Sequence, residues 1–351
     1  MFQDISIEPI EITIEQVKEM QKTQQLTLID VRSPDEYTDS TIPESINIPI
    51  FDNEERKIIG TLYKQRNAQI ATEKGFEIFS LKLPQLFKQF EGITNPKVVF
   101  CWRGGMRSKA IATLLSIMGV KCYRISGGYR AYRKWVVDHL ETYELRPKCI
   151  VINGLTGSGK TRILHCLSQQ NYPVLDLEGL AQHRGSVFGQ IGLTPNNQKT
   201  FDAELLNQLI QFGQSPYILI EAESKRIGKV CIPNFLDHAK EEGTVIFLDM
   251  PLEERVRNTI HDYCPEQHKE EFIGAFLRIK SKIHTPIATT IEDHIRKGQF
   301  KEAFSLLLEH YYDPRYEHAA GKYPTKFIIR QVENIEEGVE AVKEEIAKLA
   351  F

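Results

Sequence analysis

Residues 149–161 read CIVINGLTGSGKT, an apolar run that breaks into a glycine loop closing on Lys160 and Thr161. Apolar runs this short, bounded by glycine, form buried strands. A Gly-x-x-x-x-Gly-Lys-Thr loop behind such a strand opens a helix whose first N–H groups face an anion. Gly154, Gly157 and Gly159 let the backbone wrap a phosphate, and Thr156 and Ser158 complete the loop. Lys160 neutralises phosphate oxygens and Thr161 reaches a metal. Downstream, YPVLDL (172–177), PYILIE (216–221), TVIFLDM (244–250) and KFIIRQ (326–331) are further strand candidates, and NIEEGVEAVKEEIAKLAF closes the chain as an amphipathic helix. Residues 149–351 are therefore expected to form an α/β domain of the P-loop NTPase-like kind, with helical C-terminal additions over about 251–322.

Upstream the same alternation occurs. LTLID (26–30), KVVFC (97–101) and KCYRIS (121–126) read as strands, with helices over 75–90 and 108–120 between them. That pattern predicts a parallel-sheet α/β domain over 1–135, joined by a linker helix over 136–148 that ends at Pro147. The length of 351 residues suits two domains, and 41% hydrophobic with 26% charged residues excludes wholesale disorder. A formal net charge of −3 excludes nucleic-acid binding through bulk positive charge, but not through a local patch. No apolar run approaches the roughly 20 residues of a membrane span. The acidic N-terminal stretch is unlike a secretion signal, and the six cysteines show no C-x-x-C spacing, so a cytoplasmic protein is expected.

One cysteine stands apart by its surroundings. In VVFCWRGGMRS (98–108), Cys101 ends a strand and a glycine loop follows it into a helix. Inward N–H groups and a helix N-terminus both stabilise a thiolate, the reactive species. From Cys101 to Trp135 there are eight basic residues and no acidic one, Arg103, Arg107, Arg130, Arg133 and Lys134 among them. In the other half, DLEGLAQHRGSVFG (176–189) concentrates His183, Arg184 and Ser186, a glycine-rich loop over a nucleotide site or a substrate contact. EAESKRIG (221–228) places Glu221, Glu223 and Arg226 after a strand, where α/β proteins bind ligands. Glu221 is positioned like the metal-side acid of a phosphate site, without the clean apolar-run-then-Asp signature. Asp249, just before Pro251, suits a turn or cap as well as a metal. LLEHYYDPRY (307–316) combines three tyrosines with His310 and Arg315, as packing or as a site edge.

LIDVRSPDEY (28–37), TIPESINIP (41–49), the CWRGGMRS loop and SGGYR (126–130) together resemble the rhodanese domain. The resemblance implies that Cys101 carries sulfur or selenium as a persulfide or perselenide, with Asp30 and Arg32 as a structural pair behind the loop. Thr41 stands where many rhodaneses have His before Ile-Pro, a difference expected to concern packing. A rhodanese-like domain followed by a P-loop domain, with these motifs in this order, and with GTLYKQ (60–65) and Gly75 between them, resembles the bacterial tRNA 2-selenouridine synthases over nearly the whole chain.

That resemblance implies exchange of sulfur for selenium at C2 of the wobble 2-thiouridine in the tRNA anticodon arm. The reaction would run through S-geranylation by geranyl diphosphate and then selenation by selenophosphate. It implies a diphosphate on Gly154–Thr161, selenium on Cys101, and selenophosphate oxygens on Arg103 and Arg107. The apolar groove for the geranyl tail is expected at Leu155, Val187 and Phe188, and the basic stretch 101–135 is expected to touch tRNA. A monomer with no tightly bound cofactor is expected, with Mg²⁺ an option at the phosphates. The bare P-loop motif instead defaults to ATP or GTP, as in a small-molecule kinase or an ATP-activated thiolation enzyme. A rhodanese half serving only as a binding module is the other rival.

Overall fold

A computed structural model describes residues 8–315 and 327–349. The chain divides into two compact units, 1–141 and 142–351. In the first, β1 (Ile10–Ile12), β2 (Thr27–Asp30), β3 (Ile46–Asn47), β4 (Lys97–Phe100) and β5 (Cys122–Ile125) form one parallel sheet in the order β1-β5-β4-β2-β3. Every residue of β4 is buried, as expected for a strand covered by helices on both faces. β1 and β3 are absent from the sequence expectation, because each is too short to show a period. β1 is fixed by its partner: Glu11 lies opposite Arg124 and forms an ion pair with it.

Between β3 and β4 lie two packed helices, Asn53–Gln65 and Ala68–Glu91. The second begins earlier than the expected 75–90 because Asn67 caps it, its side chain accepting from the N–H of Ile70. Helix Gly128–Glu141 runs through position 135 without a break, and Val136 and Leu140 are buried in this unit. The segment 136–141 therefore belongs to the first unit and is not a free linker.

The second unit contains β6 (Lys148–Asn153), β7 (Val174–Leu175), β8 (Tyr217–Glu221), the short hairpin β9 (Arg226–Ile227) and β10 (Val230–Cys231), then β11 (Thr244–Asp249) and β12 (Phe327–Gln331). Five of these make a parallel sheet, β12-β11-β6-β8-β7, with β6 in the middle. β7 is shorter than the expected YPVLDL because Asp176 leaves the strand to cap helix Leu177–Ala181, accepting from the N–H of Gly179. In the helical insertion, helices Leu252–Tyr263, Lys269–Leu277, Thr285–Lys297 and Phe300–Leu307 build their own core around Phe272, Phe276, Ile291 and Phe304. A π-helical turn, Leu308–Tyr312, follows. Tyr316, residues 316–322 of the expected insertion, and Lys326 lie outside the described residues. No described helix is long and apolar enough to cross a membrane.

Candidate functional site

In the first unit, β4 ends at Phe100 and delivers Cys101 into a turn that opens helix Met106–Ile117. The Cys101 sulfur is 3% exposed, accepts the N–H of Gly105 at 3.2 Å and lies 3.2 Å from the Ser108 hydroxyl. The SGGYR segment holds this turn from behind. Tyr129 and Arg130 donate their N–H groups to the carbonyls of Cys101 and Trp102, at 2.8 and 2.9 Å. Only glycine fits at 128: with φ at +60°, a Cβ there would stand 2.1 Å from the Cys101 carbonyl oxygen. Arg124 donates to the carbonyl of Gly104 at 2.5 Å.

Behind the loop, Arg32 and Asp30 form a buried pair, with the Arg32 Nη2 to Asp30 Oδ2 bond at 2.6 Å. The Thr41 hydroxyl donates to the same carboxylate oxygen at 2.9 Å, so this residue joins the polar network and does more than pack. Arg32 also lies over the Tyr129 ring, 4.5 Å from its centre, and Tyr129 in turn meets Trp102 at 5.6 Å.

The eight basic residues divide by what they face. Arg103, Lys109, Lys121 and Arg130 are exposed, as is Lys134, which pairs with Asp138. Arg133 is half-buried. Arg124 turns inward to Glu11 and the loop carbonyl, and Arg107 forms a two-pronged pair with Glu36 at 2.5 and 3.1 Å. The charge of Arg107 is thus already matched by a carboxylate 71 residues upstream. Burial alone would raise the Glu36 carboxyl, but the Arg107 hydrogen bonds and charge, with Arg56 behind them, bring it from 4.5 down to about 2. A depressed acid stabilises the fold in full above pH 4.5 and loses that contribution as pH falls through about 2. The expected size is roughly 3 kcal/mol. Both tryptophans, Trp102 and Trp135, lie in this unit, so their fluorescence in urea melts reports on it. Glu36→Gln is expected to unfold more easily at pH 7 and to lose much of the acid-dependent decline. An acid profile identical to that of the unaltered protein would remove Glu36 as its source.

Gly75 lines a different space, a cavity of about 770 Å³ in the first unit. Its walls are mostly apolar, from Phe51, Ile59, Phe79, Met106 and Ala110.

In the second unit, the loop 154–159 follows β6, and Lys160 starts helix Lys160–Gln169. Lys160 Nζ donates to the Gly154 carbonyl at 2.9 Å. The Thr161 hydroxyl donates to Glu178 at 3.0 Å. Parallel pairing sets Glu221 opposite Ile152, one residue before the end of β6, which is why it falls beside the loop. Glu221 is 1% exposed and both of its carboxylate oxygens lack a hydrogen-bond partner. Burial first, then the charges of Asp176 and Glu223, push it up to about 8 against the pull of Thr161 and Lys160. Burial, followed by Glu221 and Glu223, raises Glu178 well above the usual carboxylate range.

Thr156, Gly157, Gly159, Lys160 and Thr161 border a cavity of about 610 Å³, together with Glu178, Arg184, Ser186 and Glu223. The two sequence segments 176–189 and 221–228 therefore do meet. Their contact is made by His183, whose ring sits against Gly228, where a Cβ would come within 2.6 Å of it. Burial and then the neighbouring Arg184 lower the His183 pKa. Arg184 lies over the Tyr263 ring at 4.9 Å, and Ser186 bonds the Tyr263 hydroxyl at 2.8 Å. Arg226 is not among the residues bordering this cavity: it is exposed on β9, and its side chain donates to the Gly228 carbonyl at 3.4 Å. Asp249 is exposed at the end of β11 and does not border it either. Phe188 is buried and stacked on Phe272 at 5.4 Å in the helical core, where it shares a small apolar pocket of about 20 Å³ with Thr156 of the phosphate loop, Tyr263 and Tyr312.

Helix Leu252–Tyr263 supplies residues that the sequence reading missed. Arg255 donates to the Thr156 carbonyl at 3.3 Å and forms a double bond pair with Asp313 at 2.8 and 2.9 Å. Asn258 donates to the Gly157 carbonyl at 3.1 Å. Arg255, Asn258 and Thr259 are all buried on one helical face. Polar residues at i, i+3 and i+4 on a face that also carries Val256 were the available signal. The pair also explains Asp313 in the YYDP stretch: it anchors the arginine that braces the phosphate loop.

Residues 13–134 match the family model of the rhodanese-like domain, and residues 147–276 match that of the tRNA 2-selenouridine synthase AAA domain. The tRNA 2-selenouridine synthase of Nitrosomonas europaea is 36% identical over 285 residues, covering 79% of this chain and 72% of its own. That of Hydrogenovibrio crunogenus is 33% identical over 335 residues, covering 86% and 91%. That of Shewanella frigidimarina is 29% identical over 337 residues, with the same coverage of 86% and 91%. With a rhodanese loop and a phosphate loop in one chain, and this likeness across both, the chain belongs to the tRNA 2-selenouridine synthase family.

Proposed function

We propose that this protein replaces sulfur by selenium at C2 of the wobble 2-thiouridine of tRNA, in two steps run by two sites. In the first, the thiouridine sulfur attacks C1 of geranyl diphosphate: a carbon–sulfur bond forms, the carbon–oxygen bond breaks, and diphosphate leaves with the electron pair. Loop 154–159 and Lys160 would receive that growing charge, the usual work of oriented N–H groups and a cation on a leaving phosphate. In the second, water takes the phosphoryl group of selenophosphate and the freed selenide attacks the sulfur of Cys101, held as a mixed disulfide with a small thiol. The sulfur–sulfur bond breaks, that thiolate leaves, and Cys101 holds selenium as a perselenide. Selenium bonds to C2 and the carbon–sulfur bond breaks, expelling geranylthiolate, a far better leaving group than the unalkylated sulfur. A small thiol then attacks the Cys101 sulfur and releases the selenouridine.

The observation that carries this reading is the Cys101 sulfur, held by the Gly105 N–H at 3.2 Å in a turn beside exposed Arg103. Arg103 is the better candidate for the selenophosphate oxygens, because Arg107 is matched by Glu36. A Mg²⁺ ion fits the second site by its donors: the Thr161 hydroxyl and the Glu178 and Glu221 carboxylates are hard oxygens. Among the described residues no group of three His, Cys, Asp or Glu is arranged to hold a metal, so phosphate oxygens would complete the shell. The metal would neutralise diphosphate charge there. The test is mass spectrometry of tRNA nucleosides after incubation with geranyl diphosphate and selenophosphate, each alone and then together. S-geranyl-2-thiouridine with the first alone, and selenouridine only with both, is the expected pattern.

A second reading rests on Tyr312 and Arg315 at the edge of the phosphate cavity, where a nucleotide base could stack. ATP hydrolysis in step with turnover would favour it, and product formation without ATP would reject it.

Binding of tRNA is expected to depend strongly on salt, since a local patch sets phosphate contacts. Replacing Arg130, Arg133 and Lys134 together by Gln should flatten the slope of log affinity against log salt by about 1 to 2. The range lies below three full contacts because Lys134 already pairs with Asp138. An unchanged slope would move the footprint elsewhere, first to the segment around Arg278, Lys280 and Lys282.

A further inference from the structure

We infer that the 770 Å³ cavity of the first unit holds the hydrocarbon chain of the S-alkylated uridine while selenium attacks C2. This rests on the two-step reading above and says where its intermediate sits. The cavity lies between the helix pair 53–65 and 68–91 and the start of helix Met106–Ile117. Its place beside the sulfur follows from the chain itself. Gly105 donates its N–H to Cys101 Sγ, and the next residue, Met106, is already a wall of the cavity, as are Arg107 and Ala110. A base whose C2 faces the sulfur therefore has an apolar space one residue away.

The cavity exists because small residues border it, Gly60, Ala71, Gly75 and Ala110, across from Phe51, Ile59 and Phe79. A rigid apolar space of this kind takes a chain of several carbons. Charge points to a nucleotide as the bearer of that chain. The lining carries Arg56, Lys57, Lys64 and Arg107 against Asp35 and Glu36. Arg56 and Arg107 pair with Glu36 and Lys57 with Glu54, and the exposed Lys64 suits a phosphate backbone outside with an apolar tail inside. The phosphate cavity of the second unit is bordered mainly by charged groups, among them Lys160, Arg162, Arg184, Arg315, Glu178 and Glu223. The apolar pocket that Phe188 shares with Thr156 of the phosphate loop is only about 20 Å³, too small for a chain of several carbons.

The experiment uses the full protein, selenophosphate, and anticodon-arm RNAs carrying S-geranyl- or S-methyl-2-thiouridine, so that the first step is bypassed. The unaltered protein is expected to convert the geranyl RNA with a kcat/KM at least ~100-fold above that of the methyl RNA, since the extra carbons are bound only if a pocket receives them. Ala110→Phe, which fills the cavity from a half-buried wall position, should cut that ratio at least ~10-fold while its thermal melt stays unchanged. Equal rates for the two RNAs with the unaltered protein would overturn the tail site and leave the two-step reading intact. A folded Ala110→Phe protein that keeps the full ratio would overturn it as well. Conversion of neither RNA would sink the two-step reading and the tail site together.

Discussion

Cys101→Ser is expected to abolish selenouridine formation, by at least ~1000-fold, while S-geranyl-2-thiouridine accumulates at close to the normal rate. A serine keeps what the structure asks of position 101. It is small enough for a site that is 3% exposed, it can accept the Gly105 N–H, and it can bond the Ser108 hydroxyl. The turn is also held by its backbone, through the carbonyls of Cys101 and Trp102, which the change does not touch. Loss of activity would therefore report the missing sulfur and not a collapsed loop. In the proposed route the geranyl step uses the phosphate loop, which lies in the other compact unit. Nucleoside mass spectrometry of the reaction products decides the matter. Selenouridine from the serine protein would mean that selenophosphate delivers selenium directly to C2. Loss of geranylation in a protein that still binds tRNA would end the division of labour.

What could be seen in the sequence was whatever is set by a contiguous stretch. The phosphate loop and the cysteine turn each need a fixed run of glycines after a strand, so each announces itself within about a dozen residues. Buried parallel strands such as β4 and β8 are apolar runs with a single charged residue at one end, Lys97 and Glu221, and read the same way. What could not be seen is set by partners far along the chain. Nothing near Arg107 says that Glu36 will neutralise it, and nothing near Arg255 says that Asp313, 58 residues on, will fix it against the phosphate loop. β1 is a strand only because β5 pairs with it. Phe188 looked available for a ligand because it follows glycine and serine, yet the helical insertion brings Phe272 onto it. The apolar cavity was hidden for the same reason, since its walls come from four separate helices, Pro34–Asp39 among them, and the turn after β3.

Lys160→Ala should lose geranylation by at least ~100-fold, the scale expected when a main stabiliser of a developing anion is removed. The reason is local. Of the basic residues bordering the phosphate cavity, Lys160 directly follows the loop and bonds its Gly154 carbonyl, while Arg184 is committed to the Tyr263 ring and the Ile191 carbonyl, Arg162 to Asn258 and Arg315 to the Tyr311 ring. Around them are Glu178, Glu221 and Glu223, whose mutual repulsion and burial raise the first two. A diphosphate entering this space meets carboxyls that are held toward their neutral forms, and the lysine is the group that makes its charge welcome. Removing Lys160 takes away its bond to the Gly154 carbonyl, about 1 kcal/mol, so the fold should stand. It also takes away a charge that now lowers both Glu178 and Glu221, so those carboxyls should shift further up and bind a proton more tightly. The second step gives the control. Supplied with RNA that already carries the S-geranyl group, the Lys160→Ala protein should make selenouridine at close to the normal rate, because the proposed route assigns selenophosphate to the Cys101 turn. If both steps fall equally in a folded protein, Lys160 serves the selenium donor as well, and the assignment of one phosphate compound to each site is wrong.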